Sequence, residues 1–98
     1  MGKAYGFVET MGVVAAVDAL DKMCKTADVR LVTCEKRTGG RLVTLVIEGS
    51  VSAVTAAVEA SMNSTAEQPL CHAVMANPHE EIVKIVQESG KRFRPEGE

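Results

Sequence analysis

Aromatic residues are scarce in this 98-residue chain, which has two Phe, one Tyr and no Trp. Its core must therefore be built from Val, Ala, Leu and Met, and such side chains favour thin, closely packed layers. Hydrophobic residues still make up 46% of the chain, as in an ordinary globular domain. A small domain with few large side chains often gains part of its burial from contacts between subunits. We therefore expect one domain whose stability depends partly on oligomerisation.

An excess of positive charge is also missing, since 11 Lys and Arg face 13 Asp and Glu, for a net charge of −2. Because nucleic-acid binding depends on cations that neutralise phosphates, this balance argues against a nucleic-acid partner. No segment approaches the ~18 apolar residues of a membrane-spanning helix, so no membrane partner is expected. Residues 1–6 lack the apolar run of a secretory signal, which favours a cytoplasmic location.

The residues that most often carry catalysis or bind metals show no productive spacing. Cys24, Cys34 and Cys71 form no CxxC pair, and we expect them to be small buried hydrophobic residues of a reduced protein. His72 and His79 lie seven residues apart with no further ligand in register, so no metal site is expected. Cys34 has no recognisable base beside it, which argues against a nucleophile. The sequence therefore predicts neither an enzyme nor a bound cofactor.

The spacing of apolar residues predicts the element order β-α-β-β-α-β-α. The predicted strands are 4–9, 29–37, 41–48 and 70–75, and the predicted helices are 11–26, 51–62 and 78–90. Thr10, Ser50 and Asn77 are expected to cap the three helices, because their side chains can accept a bond from an N–H of the first turn. Strand 41–48 is apolar on both faces and should be central. This order is typical of an α/β (α+β) fold, a split βαβ ferredoxin-like variant with a four-stranded sheet.

Two helices have compositions that predict their contacts. In the first helix one apolar stripe is expected to face the core; its members are Val13, Ala16, Val17, Leu20, Met23 and Cys24. The second helix is rich in Ala and Ser and can lie close to a sheet or to a neighbouring subunit. Gly90 is expected to end the third helix, so that residues 1–90 form the domain and residues 91–98 a charged, mobile tail.

The loop between the second and third strands reads Arg37-Thr38-Gly39-Gly40-Arg41. Paired glycines adopt positive φ without steric cost, so a tight reversal is predicted. The loop offers backbone N–H groups, a hydroxyl and two guanidiniums, all of which suit anions or water. One interpretation is an anion-binding loop. The other is a solvated hairpin whose arginines pair with Glu35 or with a neighbour's carboxylate.

Several segments, in their order and spacing, resemble bacterial microcompartment shell proteins of the single-domain, hexamer-forming class. The segments are Gly6–Gly12, Lys25–Val29, Glu35-Lys36, Leu42–Thr44, Glu48–Val54 and Asn77–His79. This resemblance implies a structural tile that is not an enzyme. Six copies would form a flat hexagonal plate with a pore on the six-fold axis, and plates would meet edge to edge in a shell within the cytoplasm. Other shell proteins and encapsulated enzymes would be its further partners.

The resemblance also implies roles for individual residues. The pore, through which small polar or anionic metabolites would pass, would be lined by Arg37, Thr38, Gly39, Gly40 and Arg41. The contacts between hexamers would be made by Lys25, Asn77, Pro78 and His79. This chain departs from many members of the class in having a loop one residue longer, Arg37 in place of an apolar residue, and Asn77 in place of an arginine.

A second hypothesis is a regulatory protein of ferredoxin-like fold that binds a small molecule at a subunit interface. The two hypotheses predict different assemblies. A regulator should form a discrete small oligomer, whereas a tile should form hexamers that associate further into sheets or tubes.

Overall fold

A four-stranded antiparallel sheet with helices on both faces makes up the computed structural model, which describes residues 3–63 and 68–93. The strands are β1 (Lys3–Met11), β2 (Arg30–Arg37), β3 (Leu42–Ser50) and β4 (Cys71–Ala76), and the helices are α1 (Val13–Thr26), α2 (Val51–Met62) and α3 (Glu80–Phe93). The order in the sheet is β2-β3-β1-β4, and all three pairs of neighbours are antiparallel. The predicted ferredoxin-like order and the central place of β3 are therefore confirmed.

The larger core lies between the sheet and the helix pair α1 and α2. It is made entirely of aliphatic and thioether side chains: Ala4, Val8, Ala16, Ala19, Met23, Val43, Leu45, Ile47, Val54, Ala57 and Val58. Gly6 of β1 lies directly beneath α2, where an added Cβ would stand 2.8 Å from Cγ1 of Val54. The small side chains of α2 and β1 therefore bring helix and sheet close together, as the composition of α2 predicts.

A smaller core lies on the opposite face of the sheet, beneath α3. Tyr5, Val46 and Val86 are buried there, and the ring of Phe7 meets that of Tyr5 edge-on at a centroid distance of 6.2 Å. Burial raises the pKa of the Tyr5 hydroxyl. Both aromatic residues of β1 therefore pack on the face of the sheet that α3 covers, whereas the core on the α1–α2 face is aliphatic.

The first helix begins later than predicted, and Thr10 does not cap it. β1 continues to Met11, and Thr10 is buried within the strand, where its hydroxyl donates to the carbonyl of Gly12 at 3.3 Å. α1 starts at Val13, after Gly12 at φ 98°, and has no side-chain cap. The chain thus turns at a glycine because the strand pairing extends two residues beyond the predicted end.

The predicted core stripe of α1 is correct on one side only. Ala16 and Met23 are buried, whereas Val13, Val17 and Cys24 are exposed. The expectation of buried cysteines is also wrong for two of the three residues. Cys24 and Cys71 are exposed, and Cys34 is half-buried.

Of the capping predictions for the other two helices, the one for α2 is confirmed and the one for α3 is wrong. Ser50 caps α2 as predicted, since its Oγ accepts the Ala53 N–H at 3.2 Å. Asn77 does not cap α3, because it adopts φ 49° and its N–H donates to the Lys3 carbonyl at 3.0 Å. His79 takes that role, with Nδ1 accepting the Glu81 N–H at 3.0 Å.

The predicted end of α3 at Gly90 is wrong, because the helix continues to Phe93. An added Cβ at Gly90 would lie 2.9 Å from the carbonyl oxygen of Val32 on β2, so this glycine permits a close helix–strand approach. Residues 94–98 of the expected tail, and residues 64–67 of the connection before β4, lie outside the described residues.

Candidate pore loop and subunit contact surfaces

The loop between β2 and β3 is a tight reversal, as its glycine pair predicts. Three successive residues, Thr38, Gly39 and Gly40, have positive φ values of 54°, 66° and 90°. The Arg41 N–H closes the turn on the Thr38 carbonyl at 3.3 Å, and Arg37 stands opposite Leu42 in the strand register. Glycine adopts this left-handed conformation at no steric cost, so two of the three positions are free of strain.

The loop lies beside the start of α1. The Gly12 N–H donates to the Arg41 carbonyl at 2.8 Å, and an added Cβ on Gly40 would touch Val13 at 3.6 Å. An open hollow of about 590 Å³ is lined by Met11, Gly12, Thr38, Gly39, Gly40, Arg41 and Leu42. The loop, the end of β1 and the first turn of α1 therefore form one end of the domain.

Both arginines of the loop are exposed, and neither forms an ion pair with another residue of 3–63 or 68–93. Glu35 is bound elsewhere, by the Ser89 hydroxyl and by the Arg92 guanidinium at 3.2 Å. Within one chain, the interpretation that Arg37 or Arg41 pairs with Glu35 is therefore wrong. Pairing with a neighbour's carboxylate remains a hypothesis.

A short polar network fixes Glu35 in place. Thr33 of β2 and Ser89 of α3 are both buried, with their hydroxyl oxygens 2.7 Å apart, and Ser89 also donates to Glu35. This hydrogen bond from Ser89 is the main cause that lowers the pKa of the Glu35 carboxyl, with Arg92 and then Arg37 adding to it against the effect of burial. The network fastens the last turns of α3 to β2 immediately before the loop.

The residues predicted to join hexamers lie at the other end of the domain. Lys25 is exposed near the end of α1, about 20 Å along the helix from the loop, and pairs with Asp21 at 3.0 Å. Asn77 bonds to Lys3, the first described residue of β1, while Met11 at the far end of the same strand pairs with Leu42 beside the loop. Pro78 is half-buried and His79 is exposed.

An exposed apolar surface on α1 was missed by the sequence pattern. We call it the α1 flank; it consists of Met11, Val13, Val14 and Val17. Val14 and Val17 are 85% and 61% exposed. Because α1 packs against α2 with its other side, this flank faces away from α2. The signal in the sequence was Val14, an apolar residue that lies outside the predicted stripe.

A second exposed apolar surface lies at the opposite side of the domain. We call it the β4 flank; it follows the edge strand and consists of Leu70, Val74 and Met75, with Val74 and Met75 projecting from opposite faces of the sheet. β4 is an edge strand, and α2 is the helix that lies against it. The two flanks therefore lie toward opposite edges of the domain, with α2 between α1 and β4.

The remaining candidates for chemistry are the potential metal ligands and the cysteine thiols. In the described part of the chain, no group of three His, Cys, Asp or Glu side chains is placed to share a metal ion. Burial raises the pKa of the Cys34 thiol, and a hydrogen bond to Glu9 raises that of Cys71, so both thiols are less nucleophilic than a free cysteine. None of the helices formed by the described residues has the length and apolar character needed to cross a membrane.

Known proteins similar to this chain include two shell proteins. The chain is 42% identical over 87 residues to the carboxysome shell protein CcmK2 of Synechococcus elongatus, covering 85% of this chain and 84% of that protein. It is 41% identical over 87 residues to the bacterial microcompartment shell protein PduA of Citrobacter freundii, covering 86% of this chain and 91% of that protein.

The fold also matches a crystal structure of a microcompartment protein from Desulfitobacterium hafniense, with a TM-score of 0.76 and 24% identity over 89% of this chain. This chain spans about half of that structure, with 48% covered, and the likeness concerns the fold alone. The family model of the BMC domain matches residues 4–78. On the extent of this match and the identity to its curated relatives, the chain belongs to the BMC domain family.

Proposed function

We propose that this chain is a structural subunit of a bacterial microcompartment shell, that six copies form a cyclic ring, and that residues 37–41 line its central pore. The shell role is supported by family membership and by relatives that are named as shell proteins. One observation supports the proposal of a ring: the domain has two different exposed apolar surfaces, the α1 flank and the β4 flank. Its partners would be further copies of itself and other shell proteins.

The two flanks suit a cyclic assembly better than a dimer. A two-fold dimer buries the same surface on both partners, whereas a ring brings one surface against a different surface of the next subunit. If the α1 flank of one copy covers the β4 flank of the next, both apolar surfaces leave water. Exposed apolar patches of this kind are typical of protein interfaces. A dimer formed through either flank would leave the other exposed.

The loop would then face the axis of the ring. A subunit that contacts its neighbours through two flanks has one end toward the axis and one toward the perimeter. We place the loop end at the axis, where six copies would gather about twelve guanidiniums from Arg37 and Arg41. Rings of cationic side chains around a narrow aperture concentrate anions and exclude cations. The pore would therefore favour small anionic or polar metabolites, and Lys25 would stand at the perimeter.

The ring is tested by the mass of the parent protein and of two variants in solution, measured by light scattering at micromolar concentration. The parent should be a hexamer. Val17→Asp should lower the mass to that of smaller species, because it places a carboxylate within the α1 flank. Val51→Asp is the matched control and should remain hexameric, since Val51 is 38% exposed at the start of α2, at the end of β3 away from the loop. A parent that is a monomer or a dimer would contradict the proposal.

A further inference from the structure

Glu35 is the carboxylate best placed to cancel the charge of Arg37. The two residues are two positions apart on β2, and alternate residues of a strand project to the same face of the sheet. Arg37 already acts on Glu35 through its charge, although less strongly than Ser89 and Arg92 do. In the structure Glu35 points instead to α3, where the Ser89 hydroxyl and the Arg92 guanidinium bind it.

We infer that Arg92 tunes the selectivity of the pore, because together with the Ser89 hydroxyl it holds the Glu35 carboxylate on α3 and so leaves Arg37 without an ion pair at the loop. This inference rests on the proposed function. Arg92 is a positioning residue, since it acts through Glu35 and need not touch a solute. The guanidinium of Arg92 forms an ion pair with Glu35. The guanidinium of Arg37 would therefore remain charged and unpaired near the axis of the ring.

Carboxylates bind most strongly to charged groups that also donate a hydrogen bond. Glu35 needs a cationic or hydroxyl donor, and a guanidinium that forms a hydrogen bond is a stronger partner than one that acts at a distance. Without Arg92, the remaining arginine that acts on Glu35 is Arg37. Each of the six loops would then exchange a free guanidinium for an ion pair, and the cationic field over the aperture would weaken.

Neighbouring charges on α3 do not serve the same purpose. Lys91 is next to Arg92 in sequence but pairs with Glu88 of its own helix at 3.7 Å. Lys91 and Arg92 are both exposed and carry the same charge, yet of these two cations only Arg92 reaches Glu35. Lys91→Met is therefore a matched control for Arg92→Met, with the same loss of charge one residue away.

The test is the reversal potential of hexamers in planar lipid bilayers under a potassium chloride gradient, with the hexameric mass of every protein checked first. The parent should prefer chloride. Arg92→Met should lower the chloride-to-potassium permeability ratio by about two- to fivefold, the range of an exposed ion pair. Glu35→Gln combined with Arg92→Met should restore the parent ratio, because no carboxylate remains to pair with Arg37. Arg92→Lys and Lys91→Met should both keep it.

The outcomes separate this inference from the proposed pore. A parent that passes no ions, or that prefers potassium, would overturn the pore and the inference together. An anion-selective parent whose ratio is unchanged by Arg92→Met would overturn only the role of Arg92. If the ratio falls in Arg92→Met but the double variant does not recover, the effect comes from a displaced α3 rather than from Glu35, and the inference is again wrong.

Discussion

Among the individual residues, Glu35 links α3 to β2, since it binds Ser89 and Arg92 of α3. The two hydroxyls that support it are buried, and a buried hydroxyl without a partner costs about 1–3 kcal/mol. Thr33 and Ser89 avoid that cost by bonding to each other and, through Ser89, to Glu35. The network thus anchors α3 to β2 directly before the loop.

The lowered pKa of Glu35 predicts a specific dependence of stability on pH. A carboxyl whose pKa is lower in the folded state stabilises the fold fully above its unfolded pKa of about 4.3, and this contribution is lost as the pH falls through the folded value. Urea unfolding of the parent and of Glu35→Gln should therefore differ most near pH 7. The difference should shrink as the pH falls below about 4.

Glu88→Gln is the control for this measurement, since Glu88 lies on the exposed side of α3 and pairs only with Lys91 among the described residues. Its effect should be small at every pH. A difference between the parent and Glu35→Gln that stays constant from pH 3 to pH 7 would show that the ionised carboxylate is not what stabilises this contact.

Of the secondary-structure elements, α3 shows best how local preference yields to packing. Glycine usually lowers helix stability, and its place near the end of the apolar pattern predicted a helix terminus at Gly90. The helix continues instead, because the missing side chain lets α3 approach the Val32 carbonyl at the irregular pairing of β2 with β3. Position 90 is therefore set by a tertiary contact that the sequence pattern does not reveal.

Gly90→Ala should consequently destabilise the protein, although alanine is the better helix former. The added Cβ would lie 2.9 Å from a backbone oxygen that cannot move independently, and overpacking of this kind costs about 1–3 kcal/mol. The measurement is the free energy of unfolding in urea. Gln87→Ala, at an exposed position of the same helix, should change it by less than about 0.5 kcal/mol. A stabilised Gly90→Ala protein would mean that the close contact with Val32 is absent.

The sequence predicted the order of the elements along the chain, the central position of β3 and the position of each helix body, because these follow from apolar periodicity. It failed at the starts of α1 and α3. Thr10 has the chemistry of a cap, but the pairing of Met11 with Leu42 keeps it in β1. Asn77 has the same chemistry, but its bond to Lys3 extends the sheet edge by one residue. In both cases a hydrogen bond to a distant strand outweighed a local preference.

The candidate site, like the fold, was predicted from the sequence only in part. The reversal at Gly39 and Gly40 followed from local conformational preference alone. The partner of Glu35 did not, since Arg92 is 57 residues away along the chain. Periodicity also assigned Val13 and Val17 to the core of one domain, because an amphipathic pattern cannot tell a core from a contact with a second copy.

At the scale of the whole molecule, the loop and the residues predicted to join hexamers lie at opposite ends of the domain. The loop lies at one end, and Lys25 and residues 77–79 lie at the other, with an apolar flank on each side. A subunit with this arrangement could close into a ring through its two flanks. Its end with Lys25 and residues 77–79 would then form a polar perimeter that can contact other rings. The ring and the lattice of rings should therefore depend on different residues.

Lys25→Ala should leave the hexamer intact and abolish ordered sheets in electron micrographs. The side chain is exposed and its ion pair with Asp21 lies within one helix, so the fold should lose only about 0.3–0.5 kcal/mol. Lys22→Ala is the matched control, because Lys22 pairs with Asp18 on the same helix at 3.4 Å. It should still form sheets. A smaller particle in Lys25→Ala would place Lys25 in the contact between subunits of one ring.

The placement of the loop can be read directly from electron cryomicroscopy of the purified protein at a resolution that shows side chains. The proposal predicts a six-fold ring in which Arg37 and Arg41 surround the axis, the α1 flank of each copy covers the β4 flank of the next, and Lys25 stands at the outer rim. A closed particle of another symmetry, or a ring with residues 37–41 at its perimeter, would contradict it.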